Sequence, residues 1–181
     1  QSKGFEIVKG FIPSFFSIYL KNYFTLRVQN ERLGGDSQAP NSHAVYGDPA
    51  FDMVMAMSTQ DIGEIIGKNL IPQYTYARVY KNGSVLERHS DRPECQYSVT
   101  LCLGGEYKKP WPILINDYSG KTHEVPLDVG DMMIYHGTEL EHWRDKFEGN
   151  TQYQLFMHYV DGEGEFNDII YDGRANLGLK K

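Results

Sequence analysis

Two hydrophobic periodicities divide the chain. Up to Gly67, apolar residues recur at spacings of three and four, which is typical of helices, and beyond it they alternate, which is typical of strands. One helix is predicted to begin after Pro13 and to turn its aromatic stripe towards the core: Phe15, Tyr19, Tyr23 and Leu26. The pair Asp48-Pro49 predicts the N-cap and first residue of a second helix, which Gly67 ends.

Short strand-like segments fill the rest of the chain. The clearest is 152–160, and others are 5–8, 74–80, 97–103, 112–115 and 132–135. The turn residues Lys81-Asn82-Gly83 predict a hairpin after the 74–80 strand. Helices followed by many short strands predict an α+β, mainly β fold, an antiparallel sandwich or jelly roll with N-terminal helices packed on one sheet.

The length predicts a single domain over 1–181. Within it, 1–70 is interpreted as helical support, 71–160 as the β core that carries the chemistry, and 161–181 as an irregular, glycine-containing tail. The turn-rich stretch 34–42 is predicted to be a surface loop that covers a site.

Composition and charge exclude several classes of function. A hydrophobic fraction of 40% excludes a disordered chain. The net charge is −6 and no lysine- or arginine-rich block is present, which argues against nucleic-acid binding. No apolar run approaches the roughly 20 residues of a membrane helix. The two neighbouring cysteines, Cys95 and Cys102, suit a reducing compartment, so a cytoplasmic location without membrane association is expected.

One histidine lies two residues from a carboxylate in a strand-like context, in Arg88-His89-Ser90-Asp91. Residues i and i+2 of a strand project from the same face, so His89 and Asp91 can offer two ligands to one ion. The best third ligand is His142, about fifty residues further on, and His136 is the alternative. Two histidines and one carboxylate leave the opposite coordination positions of a non-haem Fe(II) open.

The sequence resembles the Fe(II)/2-oxoglutarate-dependent dioxygenases, most of all the prolyl 4-hydroxylase-like branch. The resemblance rests on the order of the His-x-Asp pair and the distal His, and on segments 76–83 and 130–135, which precede them. The resemblance implies a double-stranded β-helix of the jelly-roll or cupin type that holds Fe(II) through His89, Asp91 and His142. It also implies O2 and 2-oxoglutarate as co-substrates, the latter decarboxylated to succinate and CO2 while an aliphatic C–H is hydroxylated. The substrate that it favours is a peptidyl or protein residue, with a free amino acid or other small molecule as the alternative.

The chain departs from this family at the position that binds the far carboxylate of 2-oxoglutarate. Members commonly place Arg or Lys nine or ten residues after the distal His, where this chain has Thr151 and Gln152. Arg144 is expected to replace it, because it follows His142 by two residues on a continuing strand and its planar fork matches a carboxylate. A salt bridge of Arg144 to a neighbouring acidic side chain is the alternative.

Two further side chains, Tyr80 and Gln154, are expected to contribute to the co-substrate pocket. His158 is interpreted as a hydrogen-bonded residue behind the ligands, and Cys95 as an adjacent, unreactive thiol. Two competing hypotheses remain: a cupin-like metal protein that does not use 2-oxoglutarate, which the departure at Thr151 and Gln152 favours, and a non-catalytic β-sandwich binding module. The oligomeric state is left open by the sequence.

Overall fold

Two antiparallel sheets and two helices make up the fold. The computed structural model describes residues 2–181. The larger sheet has the strand order β1-β8-β5-β10-β3-β2 and the smaller one β4-β9-β6-β7. The helices are α1 (Ser14–Asn30) and α2 (Pro49–Ile66), and the strands are β1 (Phe5–Val8), β2 (Ser42–Tyr46), β3 (Leu70–Lys81), β4 (Leu86–His89), β5 (Tyr97–Glu106), β6 (Ile113–Asn116), β7 (Thr122–Val125), β8 (Met132–His136), β9 (His142–Arg144) and β10 (Thr151–Asp161).

The central strand β10 is buried on both of its faces. It pairs with β3 on one side and with β5 on the other. Alternate side chains of a strand point to opposite faces, so one set, including Leu155 and Met157, packs in the main core with the helices. The other set faces the smaller sheet and is largely polar although buried: Gln152, Gln154, Phe156 and His158. Buried polar side chains require hydrogen-bond partners, so the space between the two sheets is suited to binding a polar group and is not a purely apolar core.

Helix α2 begins and ends where its local sequence predicts. The Asp48 carboxylate accepts hydrogen bonds from the backbone N–H groups of Ala50 and Phe51, and Pro49 occupies the first turn. Gly67 ends the helix in the left-handed conformation, at φ 67°. The side chains of Phe51, Val54, Met55 and Ile62 are buried against the larger sheet, whereas Ile65 of the same helix is exposed.

The predicted orientation of α1 was wrong. Phe15 is 82% exposed and Tyr19 is 56% exposed, whereas Leu20 and Phe24 are buried. Apolar residues surround this helix on all sides, so spacing alone does not decide which face packs on the sheet. The buried face meets β5 and α2, and of the predicted stripe Tyr23 reaches it, with its ring 5.6 Å from that of Phe51. Phe15, Tyr19 and Leu26 lie on the exposed side.

The turn at Lys81-Asn82-Gly83 is present, but it does not form the predicted hairpin. β3 belongs to the larger sheet and β4 to the smaller one, so the chain crosses between the sheets at this turn. β4 pairs instead with β9, which brings His89 directly opposite His142. The crossover is therefore what joins the two halves of the candidate site.

The C-terminal segment has little regular structure, yet its side chains are well anchored. Arg174 forms a buried ion pair with Asp52 of α2, at 2.8 Å between Nη1 and Oδ2. Asp172 is buried and accepts two hydrogen bonds from Arg92, at 2.8 and 3.0 Å. Within residues 2–181, neither helix has the length and apolar character needed to cross a bilayer.

Candidate metal centre

Three predicted ligands come together between β4 and β9. The Asp91 Oδ1 atom lies 3.4 Å from Nε2 of His89 and 3.5 Å from Nε2 of His142. Ligand atoms about 2.1 Å from one ion in a cis arrangement are separated by about 3 Å, so these atoms are spaced to share a metal. The set is two imidazoles and one carboxylate, a donor set typical of non-haem Fe(II) sites that keep coordination positions open.

Backbone carbonyls orient both imidazoles. The Nδ1 atom of His89 lies 2.6 Å from the carbonyl oxygen of Glu87, and that of His142 lies 2.9 Å from the carbonyl oxygen of Leu140. With Nδ1–H donating to a carbonyl, the lone pair of each Nε2 is free for a metal. Each ring is therefore held in the tautomer and orientation that ligation requires.

A hydrogen bond to the second carboxylate oxygen, Oδ2, fixes the orientation of Asp91. Ser98 Oγ donates to Asp91 Oδ2 at 2.8 Å and lies 2.9 Å from Nδ1 of His158. Because the Ser98 proton goes to the carboxylate, the His158 Nδ1–H donates to Ser98. Burial lowers the pKa of His158 to about 4, so the imidazole is neutral and supplies this hydrogen bond at neutral pH.

Electrostatics keep the carboxylate ionised. In the metal-free protein, burial disfavours the charged form of Asp91, but the interactions of this carboxylate with His142 and His89 outweigh the effect of burial. The pKa of Asp91 is therefore well below its usual range. An ionised carboxylate between two imidazoles is the protonation state in which a divalent cation binds.

The other histidine and cysteine candidates take different positions. His136 lies outside the metal-competent clusters among the described residues, with its ring 4.3 Å from that of Tyr97. Cys95 is buried and its Sγ lies 3.1 Å from the Tyr74 hydroxyl. Burial raises the pKa of this thiol, which argues against a reactive thiolate. Asp91, Cys95 and His158 also form a possible metal-binding group, but it shares Asp91 with the first cluster.

Arg144 lies two residues beyond His142 on β9 and is only 1% exposed. Its Nη1 donates to the backbone carbonyl of Trp111, whereas Nε and Nη2 are buried without a partner. Within residues 2–181 no carboxylate forms an ion pair with this guanidinium, and desolvation lowers its pKa. An unpaired buried cation is costly, so the site is suited to an anion that the chain itself does not provide.

More unsatisfied polar atoms belong to the same interior. Gln154 Oε1 accepts from Thr100 at 3.1 Å, but its Nε2 has no partner, and Oε1 of Gln152 has none either. The Tyr80 hydroxyl accepts a hydrogen bond from Arg78 at 3.2 Å, and its ring packs 4.9 Å from that of Trp111. The space between the two sheets therefore contains hydrogen-bond donors and acceptors that have no partner within the protein.

The metal cluster opens into a cavity of about 320 Å³ whose lining includes Arg78 and Asp36, which the sequence analysis had not assigned to the site, but not Arg144, Tyr80 or Gln154. Arg78 projects from β3, two residues before Tyr80 and on the same face, and this spacing was the available signal. Asp36 enters from the loop between α1 and β2 and pairs with Arg78. No local motif marks Asp36, because its partner is 42 residues away.

Comparison with solved structures identifies this architecture, although no protein-family model and no curated protein sequence matches the chain. A prolyl-4-hydroxylase from Pseudomonas putida superposes with a TM-score of 0.72 at 18% identity, over 88% of this chain and 94% of that one. The chain shares the fold of the 2-oxoglutarate–Fe(II) oxygenases.

Other structures with this fold hold different ligands. The viral collagen prolyl hydroxylase of Paramecium bursaria Chlorella virus-1, in complex with 2-oxoglutarate, has a TM-score of 0.66 at 12% identity, over 87% of this chain and 96% of that one. HygX from Streptomyces hygroscopicus, with nickel, 2-oxoglutarate and hygromycin B bound, has 0.65 at 15% identity, over 89% and 84%. This fold therefore accommodates a small-molecule ligand, hygromycin B, in HygX.

The residues present fit the two groups that this fold binds in those structures. The His89, Asp91 and His142 cluster supplies the donor set for a divalent metal, with one ring nitrogen of each histidine already engaged by a carbonyl. The unpartnered nitrogens of Arg144 supply a buried cation for a carboxylate.

Proposed function

We propose that this protein is an Fe(II)- and 2-oxoglutarate-dependent oxygenase that hydroxylates an aliphatic C–H bond, and that its two sheets form a double-stranded β-helix. The observation that carries the proposal is the fully buried Arg144, whose Nε and Nη2 lack partners, on the same face of the same strand as His142. A metal site alone does not require such a cation, whereas a dicarboxylate that extends inward from the metal does.

His89, Asp91 and His142 hold the metal on one side and leave the other side to co-substrates. With Fe(II) bound, the site supplies the redox chemistry by which O2 and 2-oxoglutarate give succinate and CO2, one oxygen atom entering succinate and the other the substrate C–H. The protein's part is to bind, orient and exclude water. Ser98 and His158 keep the Asp91 carboxylate in one orientation through the hydrogen bonds to its Oδ2 atom.

Arg144, Tyr80 and Gln154 form the pocket for the far carboxylate of 2-oxoglutarate. The guanidinium offers two adjacent donors, and the free amide N–H of Gln154 offers a third. Gln152 occupies the position where a basic residue is common in this fold family, and its amide donates to Cys102 Sγ at 3.4 Å. Because Arg144 already provides a buried charge, a second cation at position 152 would be repelled by it.

The substrate is proposed to be a peptidyl or protein residue, with a free amino acid or other small molecule as the alternative. Prolyl hydroxylases of this fold support a peptidyl or protein substrate, and HygX, crystallised with hygromycin B, supports a small molecule. A cytoplasmic location is proposed from the two buried, free cysteines.

Calorimetric titration of 2-oxoglutarate into Mn(II)-loaded protein tests the proposal. Binding is expected to require the metal and to be lost in His142→Ala, while His136→Ala, the matched histidine control outside the cluster, binds normally. Equal affinity with and without metal would contradict the proposal, as would equal loss in both variants.

The cupin-like alternative, a metal protein that does not use 2-oxoglutarate, is favoured by one observation, the absence of a basic residue at Thr151 and Gln152. The same titration separates the two functions. Metal binding that depends on His142, with no 2-oxoglutarate binding at any concentration, would favour the alternative.

A further inference from the structure

The cavity at the metal centre is lined by Arg78, an arginine that the proposed reaction does not use, whereas Arg144 does not line it. Arg78 projects from β3 into this cavity and is 3% exposed. Its Nη1 donates to the Tyr80 hydroxyl at 3.2 Å and its Nη2 to Asp36 Oδ2 at 2.5 Å, but its Nε is buried without a partner. The guanidinium is therefore fixed in place and has a free donor beside the one that Asp36 occupies.

The partner of Arg78 comes from the loop and not from the barrel. Asp36 Oδ2 also accepts a hydrogen bond from Tyr76 at 2.5 Å, and Oδ1 accepts from the backbone N–H groups of Gln38 and Ala39 at 3.0 Å each. The Asp36 side chain is 32% exposed, against 3% for Arg78. The cation is the buried, rigid half of this pair, and the carboxylate is the half that solvent and ligands reach.

Arg78 and Tyr76 thus hold a carboxylate at the mouth of the metal cavity. Asp36 accepts a hydrogen bond from only one of the two adjacent donors of Arg78, Nη2, and leaves Nε without a partner. A ligand carboxylate in place of Asp36 would accept hydrogen bonds from both Nε and Nη2 of Arg78 and from the Tyr76 hydroxyl. Arg144, in contrast, lies on the opposite sheet, does not line this cavity and has no internal carboxylate. The enclosed, unpaired Arg144 suits the co-substrate, and Arg78, whose carboxylate partner is partly exposed, suits a molecule that exchanges with solvent.

We propose that Arg78 and Tyr76 bind a carboxylate group of the substrate, and that Asp36 occupies this position until the substrate displaces it. The assignment rests on the proposed function, since it takes the cavity to be where substrate meets the metal. It narrows the substrate to a molecule that carries a carboxylate close to the carbon to be hydroxylated, such as an acidic or C-terminal residue of a peptide or a free amino acid.

The test uses N-acetylglycine as a carboxylate probe and N-acetylglycinamide as its uncharged match. Both are titrated into protein saturated with Mn(II) and 2-oxoglutarate, and into metal-free protein, with calorimetry as the readout. Hydrogen exchange of residues 31–41 is followed in parallel. We expect the acid to bind and the amide not to bind, and exchange in the loop to accelerate with the acid because Asp36 is released.

Variants separate the two arginines. Asp36→Asn, a change in an exposed loop, is expected to bind the acid about tenfold more tightly because the internal competitor is gone. Asp61→Asn, on the exposed side of α2, is the matched control and should leave the affinity unchanged. Arg78→Gln and Arg78→Lys should weaken binding of the acid much more than binding of 2-oxoglutarate, although Arg78 also donates to Tyr80. Arg144→Gln should weaken binding of 2-oxoglutarate much more than binding of the acid.

The outcomes distinguish this proposal from the one on which it rests. If 2-oxoglutarate binds but the acid binds no better than the amide, or if Asp36→Asn leaves its affinity unchanged, the substrate assignment is wrong. If Arg78→Gln loses 2-oxoglutarate and keeps the acid, Arg78 is the co-substrate anchor instead. If metal-loaded protein fails to bind 2-oxoglutarate while the acid still displaces Asp36, the carboxylate site stands and the oxygenase function fails. Tighter binding of glycine than of N-acetylglycine would indicate a free amino acid, and the reverse a peptide carboxylate.

Discussion

Replacing Arg144 by methionine should separate stability from co-substrate binding. The guanidinium is 1% exposed and has no carboxylate partner within the described residues, so the empty protein bears the desolvation of an unpaired charge. Exchange of buried ionic groups for apolar ones of similar volume is often neutral or stabilising by about 1–4 kcal/mol. Against this, the Trp111 carbonyl loses its donor, which costs about 1–3 kcal/mol. The gain and the loss are of similar size, so the free energy of unfolding of Arg144→Met is expected to be no more than about 2 kcal/mol below that of the wild type.

The affinity for 2-oxoglutarate should instead fall strongly. Removing one partner of a buried charge pair costs about 3–5 kcal/mol. At about 1.4 kcal/mol per factor of ten, this weakens binding roughly a hundredfold to a few thousandfold. Metal affinity should change little, because Arg144 contacts none of the three ligands in the described hydrogen-bond network.

Urea unfolding of the metal-free protein gives the first quantity, and calorimetric titration of the Mn(II)-loaded protein gives the second. Arg88→Met is the matched control, since Arg88 is exposed on β4 and pairs with Glu141 at the surface. Surface pairs contribute about 0–1 kcal/mol, so neither quantity should change appreciably in this variant. Destabilisation of Arg144→Met by more than about 2 kcal/mol, with an unchanged affinity for 2-oxoglutarate, would show that the arginine is structural and refute the reasoning.

Three other changes test the surrounding structure. The Asp172 carboxyl is buried, but its hydrogen bonds from Arg92 and other donors lower its pKa to about 2. The ionised carboxylate therefore contributes about 2 kcal/mol to the free energy of unfolding above pH 4, and this contribution is lost as the pH falls towards 2. In urea unfolding between pH 5 and 2, Asp172→Asn should lose less stability than the wild type, and an equal loss in both proteins would contradict the lowered pKa. Gly137→Ala places a Cβ 2.5 Å from Asp91 Oδ2, so metal affinity measured by titration should fall at least about tenfold, and unchanged affinity would mean that the carboxylate has room to move. Leu155→Ala, in the main core, should lower the free energy of unfolding by about 2–5 kcal/mol without changing metal affinity.

Features with local causes could be predicted from the sequence. The limits of α2 follow from Asp48-Pro49 and Gly67, whose capping chemistry depends only on neighbouring residues. His89 and Asp91 are two residues apart on an extended segment, so their common face also follows from local geometry. Their metal-competent spacing with His142 depends on the pairing of β4 with β9, for which the resemblance to a known family supplied the expectation.

Features with distant causes could not be predicted from the sequence. The turn after Lys81 has the residues of a hairpin, but which strand β4 pairs with is decided by the smaller sheet. The face of α1 that is buried is decided by its packing on β5 and by the contact of Phe24 with Phe51 of α2, because apolar residues lie on all sides of this helix. Asp36 meets Arg78 only because the loop folds over the cavity, and no short-range pattern encodes that contact.

Anaerobic absorbance spectroscopy of the Fe(II)-loaded protein, before and after 2-oxoglutarate is added, tests the central claim most directly. A chelating 2-oxo acid on Fe(II) gives a visible charge-transfer band, so we predict a band that saturates with 2-oxoglutarate and is absent in His142→Ala. Fe(II) that binds through His89, Asp91 and His142 but develops no band at saturating 2-oxoglutarate would contradict the oxygenase assignment.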